Sequence, residues 1–374
     1  MKIVLTGGGT AGHFYPLIAI AEEINAIADE DNLLHPELYY MSIEPYDKKA
    51  LFDNGIVFKR VFSGKARLYL SLLNFIDPFK LLFGVCKAVV DLYLLYPDVI
   101  ISKGGYASVP AVFAARLLGI PVIIHESDSV PGRANRWAGS FAARVGISWP
   151  EAYEFFPKET TALTGQPVRA QLLIPEKHGA HEFLKLRRDL PVVLVLGGSQ
   201  GAQKINEAFL AVLPQMVARY QVVHQVGTEN LAEVNTLTHV ILKEAPEKDA
   251  DKPGGHLGTL ALKMAAGAAD LVVSRAGSTI FEIAAWGKPS VLIPITESNG
   301  DHQRKNAFNY ARRGGATVIE EKNLTPSVLL SEISRIMEDT PLREKMGEAA
   351  RAFFIPGAAR KIAREAVKIA LAHQ

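Results

Sequence analysis

Ile3-Val4-Leu5-Thr6-Gly7-Gly8-Gly9-Thr10-Ala11-Gly12-His13 decides the fold, because its plan returns about 190 residues later as Val192-Val193-Leu194-Val195-Leu196-Gly197-Gly198-Ser199-Gln200-Gly201-Ala202. Each stretch is a short apolar run that ends in a glycine-rich turn. Apolar residues at helical spacing follow both turns: Leu17, Ile20, Ala21 and Ile24 after the first, Ile205, Phe209 and Leu210 after the second. Pro16 suits the first helical turn. The first turn is not a clean G-x-G-x-x-G fingerprint, and no acidic residue closes a following strand at the distance a dinucleotide ribose requires. Two strand–turn–helix openings in one chain predict two similarly built α/β halves facing each other.

Bulk properties agree. A chain of 374 residues is too long for one typical core and suits two domains. With 48% hydrophobic and 21% charged residues it reads as a globular protein, and a formal charge of +2 gives no argument for nucleic acid. The lone cysteine, Cys86, excludes an internal disulfide and is compatible with a reducing compartment. Met1-Lys2-Ile3-Val4 runs directly into a strand, leaving no room for a signal peptide, so a cytoplasmic protein is expected.

Within the second half, the apolar run Leu271 to Val273 reads as a buried strand that ends in Arg275-Ala276-Gly277-Ser278-Thr279, with a helix carrying Ile280, Ile283 and Ala284 after it. A small-residue turn opening a helix gathers free backbone N–H groups and the positive end of the helix dipole, a site for phosphate or diphosphate. Glu282 lies about one turn into that helix. Spacing alone leaves two readings open: a favourable charge near a helix N-terminus, or an acceptor for ribose hydroxyls beside the phosphate.

In the first half, the strands Pro97–Ser102 and Pro121–Ile124 are expected to be buried and parallel. Ligands in such sheets sit beyond the carboxyl ends of strands. His13, Tyr106, His125, Glu126, Asp128 and Asn135 all fall there, and six polar residues at three strand ends are more than caps require. Residues 60–96 crowd Leu68, Tyr69, Leu70, Leu72, Leu73, Phe75, Ile76, Phe79, Leu81, Leu82 and Phe83 among Arg60, Lys65, Arg67, Lys80 and Lys87. Charges interrupt this run too often for a span of about 20 apolar residues. It reads either as core helices with snorkelling lysines or as an amphipathic face for an anionic membrane. Thr164 to Asp189 reads as a linker, and residues 244–258 as a solvated loop in which Asp249-Ala250-Asp251 is surface rather than a metal–nucleotide motif. Ala359 to Ala370 reads as a closing amphipathic helix with basic residues on its polar face.

Six stretches occur in fixed order: Gly7 to His13, Lys103-Gly104-Gly105-Tyr106-Ala107-Ser108, His125-Glu126, Gly197 to Ala202, Ser274-Arg275-Ala276-Gly277-Ser278 and Asp301-His302-Gln303. Together they resemble the MurG family of glycosyltransferases (glycosyltransferase family 28) over nearly the whole chain. The resemblance implies a GT-B fold, in which two Rossmann-like domains with parallel sheets face each other across a cleft. It places an acceptor- and membrane-binding domain at 1–165, a UDP-sugar domain at 166–345 and a returning C-terminal helix at 346–374. It implies inverting transfer of N-acetylglucosamine from UDP-N-acetylglucosamine to the 4-hydroxyl of undecaprenyl-diphospho-N-acetylmuramoyl-pentapeptide. No metal or cofactor is expected, and the enzyme would sit peripherally on an anionic membrane surface, at the cytoplasmic face of the cell membrane.

The resemblance also assigns residues. Glu282 would hold the ribose hydroxyls, while Ser199, Gly277, Ser278 and Thr279 would contact the diphosphate and nearby donor atoms. Gln303 and Asn135 would contact sugar, Arg169 would lie at the cleft, and Thr10, Ala11 and Gly12 would line the floor. His13 is the candidate general base, because imidazole titrates near neutrality, with Glu126 and Tyr106 as alternatives or orienters. Arg275 would stabilise departing UDP. The chain departs from the family in having Asp128 where asparagine is usual and Gln166 in place of asparagine before Pro167. Its turn is one residue shorter between Gly277 and Glu282, and there is no recognisable uracil segment before Ala265, where Leu260 and Leu262 are the only suggestions. Alternatives are a related GT-B transferase with another acceptor, a UDP-sugar epimerase, and a non-catalytic nucleotide-sugar binder.

Overall fold

A computed structural model describes residues 1–64, 73–198, 202–243, 251–255, 257–296 and 299–373. Two compact units result: Met1–Arg169 joined by Ile355–Gln374, and Ala170–Phe354.

The first unit is built on a seven-stranded parallel sheet in the order β3-β2-β1-β4-β5-β6-β7. The strands are β1 Lys2–Thr6, β2 Glu37–Ser42, β3 Ile56–Arg60, β4 Val99–Ser102, β5 Val122–Glu126, β6 Arg144–Ile147 and β7 Thr161–Leu163. Residues Val99 to Ser102 and Val122 to Glu126 are buried throughout, the pattern of strands covered on both faces. Strand order reverses between β1 and β4, so the turns leaving these two strands open side by side at the switch point. Helix Ala11–Glu30 begins directly after the glycine turn. Pro16 therefore sits in its second turn rather than the first, where its missing N–H leaves the Gly12 carbonyl without its i+4 partner. Helix Ala358–Ala372 lays Ile362, Ala363, Ala366 and Val367 into the same core as Ile3, Leu5, Leu17 and Ile20.

The second unit repeats the plan with a six-stranded parallel sheet, order β10-β9-β8-β11-β12-β13. Its strands are β8 Val192–Leu196, β9 Gln221–Gln225, β10 Asp251–Gly254, β11 Leu271–Ser274, β12 Ser290–Leu292 and β13 Ala316–Val318. The switch point here lies between β8 and β11. Two sequence readings change. Part of the expected loop at 244–258 is the edge strand β10, which tolerates Pro253 because an edge position need not donate on its outer side. Asp251 opens that strand, while Asp249 lies outside the described residues. The expected linker is anchored along its length: Thr164, Gly165 and Gln166 are buried beyond β7, the Leu172 carbonyl accepts a 2.7 Å hydrogen bond from Trp286 Nε1, and the Arg187 carbonyl accepts one of 2.8 Å from Gln221 Nε2.

Candidate active site

In the first unit, the turn after β1 and the turn after β4 face each other across the switch point. Thr10 is the residue before helix Ala11–Glu30, yet its hydroxyl caps no backbone N–H. It instead lies 2.8 Å from His13 Nδ1. The imidazole is thereby held in the first helical turn with Nε2 on the side of Gly105, where an added Cβ would come 3.7 Å from it. If Nδ1–H donates to Thr10 Oγ1, Nε2 carries the lone pair that a general base needs. The Tyr106 ring flanks Gly9, and its backbone carbonyl accepts from Ser63 Oγ at 2.7 Å. Tyr106 also borders a cavity of about 330 Å³ lined by Arg60, Phe62, Asp77 and Lys80. Arg169 stacks its guanidinium 4.0 Å above the Tyr15 ring, on the same helix as His13.

Beyond β5 a buried network takes over. Lys103, 2% exposed, donates to His125 Nδ1 at 2.6 Å and to Ser127 Oγ. An ammonium can only donate. His125 must therefore accept at Nδ1 and donate from Nε2 to the Gly165 carbonyl, 2.9 Å away. By the same logic Ser127 passes its own proton to Gln166 Oε1 at 2.7 Å, which also accepts from Ser148 at 3.0 Å. The donor chain ties together the carboxyl ends of β4, β5, β6 and β7. Burial and the Lys103 charge push the His125 pKa well below its usual value, which keeps the ring neutral. His125 is a wholly buried strut, and this corrects the expectation that it projects into the site.

Glu126 is a clamp for the next loop. Its oxygens accept from the backbone N–H groups of Asp128 at 2.8 Å and Gly132 at 3.3 Å, and from Asn135 Nδ2 at 2.9 Å. Burial, followed by the nearby Asp128 charge, pushes its pKa up to about 7. Burial likewise brings Lys103 down to about 8, with Glu126 and Asp128 opposing the fall. Asn135 spends its amide nitrogen on Glu126 and the His125 carbonyl, and its buried Oδ1 is an acceptor with no partner among the described residues. Gly104 is required beside it: its φ is +79°, and a Cβ there would reach 2.5 Å from Asn135 Oδ1.

In the second unit, β11 leads through Arg275, Ala276, Gly277 and Ser278 into helix Thr279–Trp286. Ile280 N–H, bonded to the Gly277 carbonyl, begins the intrahelical series. A Cβ on Gly277 would meet nothing within 4 Å, so there is open space against the turn. Glu282, half-buried, lies in the first turn of this helix. Gln303 begins helix His302–Ala311, its Oε1 accepting from Ile295 N–H at 3.2 Å, and Asn306 Nδ2 reaches the Ala276 carbonyl at 3.4 Å. The phosphate-type turn, Glu282 and Gln303 are thus parts of one strand-end cluster. Arg275 donates to the Ile293 carbonyl at 3.1 Å and to Glu321 at 2.6 Å, so its charge already has a buried counter-ion. Ser199 lies outside the described residues.

Residues 3–147 match the model of the glycosyltransferase family 28 N-terminal domain, and residues 192–362 match that of the family 28 C-terminal domain. The chain belongs to glycosyltransferase family 28. A family 28 relative from Lachnoclostridium phytofermentans is 38% identical over 90% of this chain and 91% of its own length. One from Clostridium botulinum is 36% identical over 90% and 91%. Both are named UDP-N-acetylglucosamine–N-acetylmuramyl-(pentapeptide) pyrophosphoryl-undecaprenol N-acetylglucosamine transferase. The crystal structure of Acinetobacter baumannii MurG superposes with a TM-score of 0.73 at 26% identity, covering 98% of this chain and 99% of that one. A Staphylococcus aureus MnaA–UDP structure, at 14% identity and a TM-score of 0.70, shares the fold.

The family 28 reading explains why the polar residues gather where they do, and the structure adds two that the sequence analysis passed over. Lys103 was read only as part of a glycine motif, and Ser127 not at all. A lysine inside an otherwise apolar strand end was the available signal, since lysine is almost never fully buried unless paired. Among the described residues, no helix of this family 28 protein is long and apolar enough to cross a membrane.

Proposed function

We propose that this protein transfers N-acetylglucosamine from UDP-N-acetylglucosamine to the 4-hydroxyl of an undecaprenyl-diphospho-N-acetylmuramoyl-pentapeptide, with inversion at the sugar. The observation that carries the reading is identity of 38% over 90% of the chain to relatives named for this transferase. The residues supply a consistent mechanism. His13 Nε2, with Nδ1–H held by Thr10, takes the proton of the attacking hydroxyl as the new C1–O bond forms. The bond from C1 to the UDP oxygen breaks on the opposite face, and UDP leaves as an anion. The N-terminus of helix Thr279–Trp286 stabilises that anion through its dipole and the backbone N–H groups of the turn Gly277–Thr279. Glu282 takes the ribose hydroxyls and Gln303 the sugar. Arg275 supports this site through Glu321 and the Ile293 carbonyl. The orphan Oδ1 of Asn135 accepts from the sugar, and Asp128, Ala11 and Gly12 line the acceptor side. Glu126 and Tyr106 orient rather than transfer protons.

The same reading puts the protein peripherally on an anionic membrane surface. Helix Leu73–Leu95 exposes Phe79, Leu82, Phe83, Val90, Tyr93 and Leu94 at spacings that fall on one side, with Lys80 exposed beside them. The part of this stretch at 65–72, which includes Lys65 and Arg67, lies outside the described residues. An apolar stripe of this size on a surface helix signals contact with a partner or a bilayer, and the lipid-linked acceptor favours the bilayer.

The experiment is UDP release from UDP-N-acetylglucosamine in the presence of chelator, with and without a short-chain lipid-linked muramoyl-pentapeptide. Acceptor-dependent release with a new disaccharide is the expected result. Release without acceptor would favour the epimerase alternative, and no release with this acceptor would favour a transferase with a different one.

A further inference from the structure

Helix Leu73–Leu95 carries two sets of residues with different surroundings. Phe79 and Phe83 are exposed. Asp77 and Lys80, neighbours at helical spacing, line the cavity beside Tyr106 together with Arg60, Phe62 and Ser63. Close packing fixes the walls of that cavity: a Cβ on Gly64 would run into the Asp77 carbonyl, and one on Gly84 into the Phe62 carbonyl. Its volume of about 330 Å³ is roughly ten times the share of one water in the liquid. Arg60 and Lys80 are exposed, and neither has a hydrogen-bond or ion-pair partner among the described residues. Asp77 is only 8% exposed, so an entering anion meets the two cations ahead of the one carboxylate. The cavity also lies between two features already described. Tyr106 forms one wall, and its ring flanks Gly9 in the turn that leads to Thr10 and His13. Phe62 forms another, its ring 5.3 Å from that of Phe83 on the exposed stripe.

We propose that this cavity is the subsite for the diphosphate of the lipid-linked acceptor, held by Arg60 and Lys80. The order of the surfaces matches the order of groups along such a molecule. The sugar hydroxyl lies at His13, the diphosphate past Tyr106 between Arg60 and Lys80, and the first lipid carbons over Phe62 and Phe83 onto the stripe. The two cations suit the task in different ways: a guanidinium presents a planar fork to phosphate oxygens, and an ammonium acts as a point charge. A phospholipid headgroup offers the same phosphate chemistry. It has no hydroxyl to place beside His13, however, and the cavity shares Tyr106 with the catalytic turn, so the acceptor is the better occupant.

This inference rests on the transferase reading, and the test separates the two. Acceptor and donor kinetics would be measured in nonionic detergent, free of phospholipid, for wild type, Arg60→Gln, Lys80→Gln, the double variant and Lys80→Arg. Each neutral variant should lower acceptor kcat/KM about tenfold and the double variant about 100-fold, with donor KM within about twofold, as expected on losing charge-assisted contacts to phosphate. Lys80→Arg should stay within about threefold of wild type, because the charge remains. Farnesyl diphosphate, a lipid diphosphate without the sugar, should compete with the acceptor in wild type and about tenfold less well in the double variant. Wild-type acceptor kinetics in the double variant overturn the subsite; if that variant loses only its binding to phosphatidylglycerol vesicles, the cavity takes a headgroup instead. A donor KM that rises with the acceptor KM, or Lys80→Arg as poor as Lys80→Gln, overturns it as well. If the neutral variants do not fold, the wild type decides: competition between farnesyl diphosphate and acceptor supports the subsite, and its absence overturns it. A wild-type protein that transfers no sugar refutes the transferase reading alone. Calorimetry with farnesyl diphosphate then tests the cavity, since binding must weaken in the double variant if Arg60 and Lys80 hold the diphosphate and stay equal if they do not.

Discussion

Replacing Thr10 with valine isolates what holds the His13 ring. The hydroxyl caps no backbone group, so its loss should leave helix Ala11–Glu30 intact. What it removes is the 2.8 Å partner of Nδ1. A hydrogen bond of this kind contributes about 0.5–1.5 kcal/mol net, and Thr10 is exposed, which favours the lower half of that range. If the bond selects the tautomer with a basic Nε2, kcat should fall about 2- to 5-fold, the lower half of that energy converted at RT of about 0.59 kcal/mol. Removing the imidazole altogether, as in His13→Gln, should cost about 10²- to 10⁴-fold, the usual range for a general base. Thr10→Ser keeps an oxygen in place and should stay near wild type. The assay is acceptor-dependent UDP release at saturating donor and acceptor, with melting curves as the control for folding. The reasoning fails if Thr10→Val is as inactive as His13→Gln, for then the hydroxyl itself meets substrate. It fails equally if Thr10→Val matches wild type while His13→Gln is dead, for then the tautomer is set elsewhere.

Other predictions follow from separate parts of the molecule. Glu282→Ala should weaken UDP binding by about 10- to 100-fold in calorimetry, the loss expected when hydroxyls give up a charged acceptor, with acceptor affinity unchanged. Unchanged UDP affinity would remove Glu282 from the ribose. Serine at Phe79, Leu82 or Phe83 should each reduce binding to anionic vesicles about tenfold while leaving the melting temperature in place, since these side chains are exposed in the protein alone. Equal vesicle binding would send the stripe to a protein partner. Burial lowers the His224 pKa to about 3, so the folded state keeps the ring neutral while the unfolded chain protonates near pH 6.5. Stability from this group is fully present above pH 6.5 and is lost as pH falls toward 3, about 2 kcal/mol of it by pH 5. Hydrogen exchange of β8 and β9 amides should show that slope, and His224→Gln should flatten it.

Periodicity made both sheets legible, because a parallel strand buried on two faces has to be a short branched run closed by glycine. Val99 to Ser102 and Leu271 to Ser274 could hardly be anything else. The strand-end residues could be named for the same reason: topology puts them beyond carboxyl ends whatever their side chains do. What the chain did not disclose was the direction in which those side chains turn. His125 and Glu126 are neighbours in sequence, yet one faces the buried chain from Lys103 to Gly165 and the other clamps the loop to Asn135. That split depends on an ammonium contributed from β4, 22 positions earlier, and no local pattern encodes it. The partner of Arg275 was hidden for a similar reason, since Glu321 lies 46 residues away. Pro253 reads as a breaker until its strand is known to lie at an edge.

Helix Ala358–Ala372 gives the molecule an order of assembly. Its apolar side completes the core around Ile3, Leu5 and Leu17, while Arg360 and Arg364 reach Glu23 and Glu30 on helix Ala11–Glu30 and Asp31 at its end. The first unit's core is therefore finished only by residues that follow the whole second unit in the chain. On a ribosome adding about 5–20 residues per second, the 205 residues from Ala170 to Gln374 (374 − 169) take roughly 10–40 s. For all that time one flank of the nascent N-terminal sheet and helix stays open to solvent.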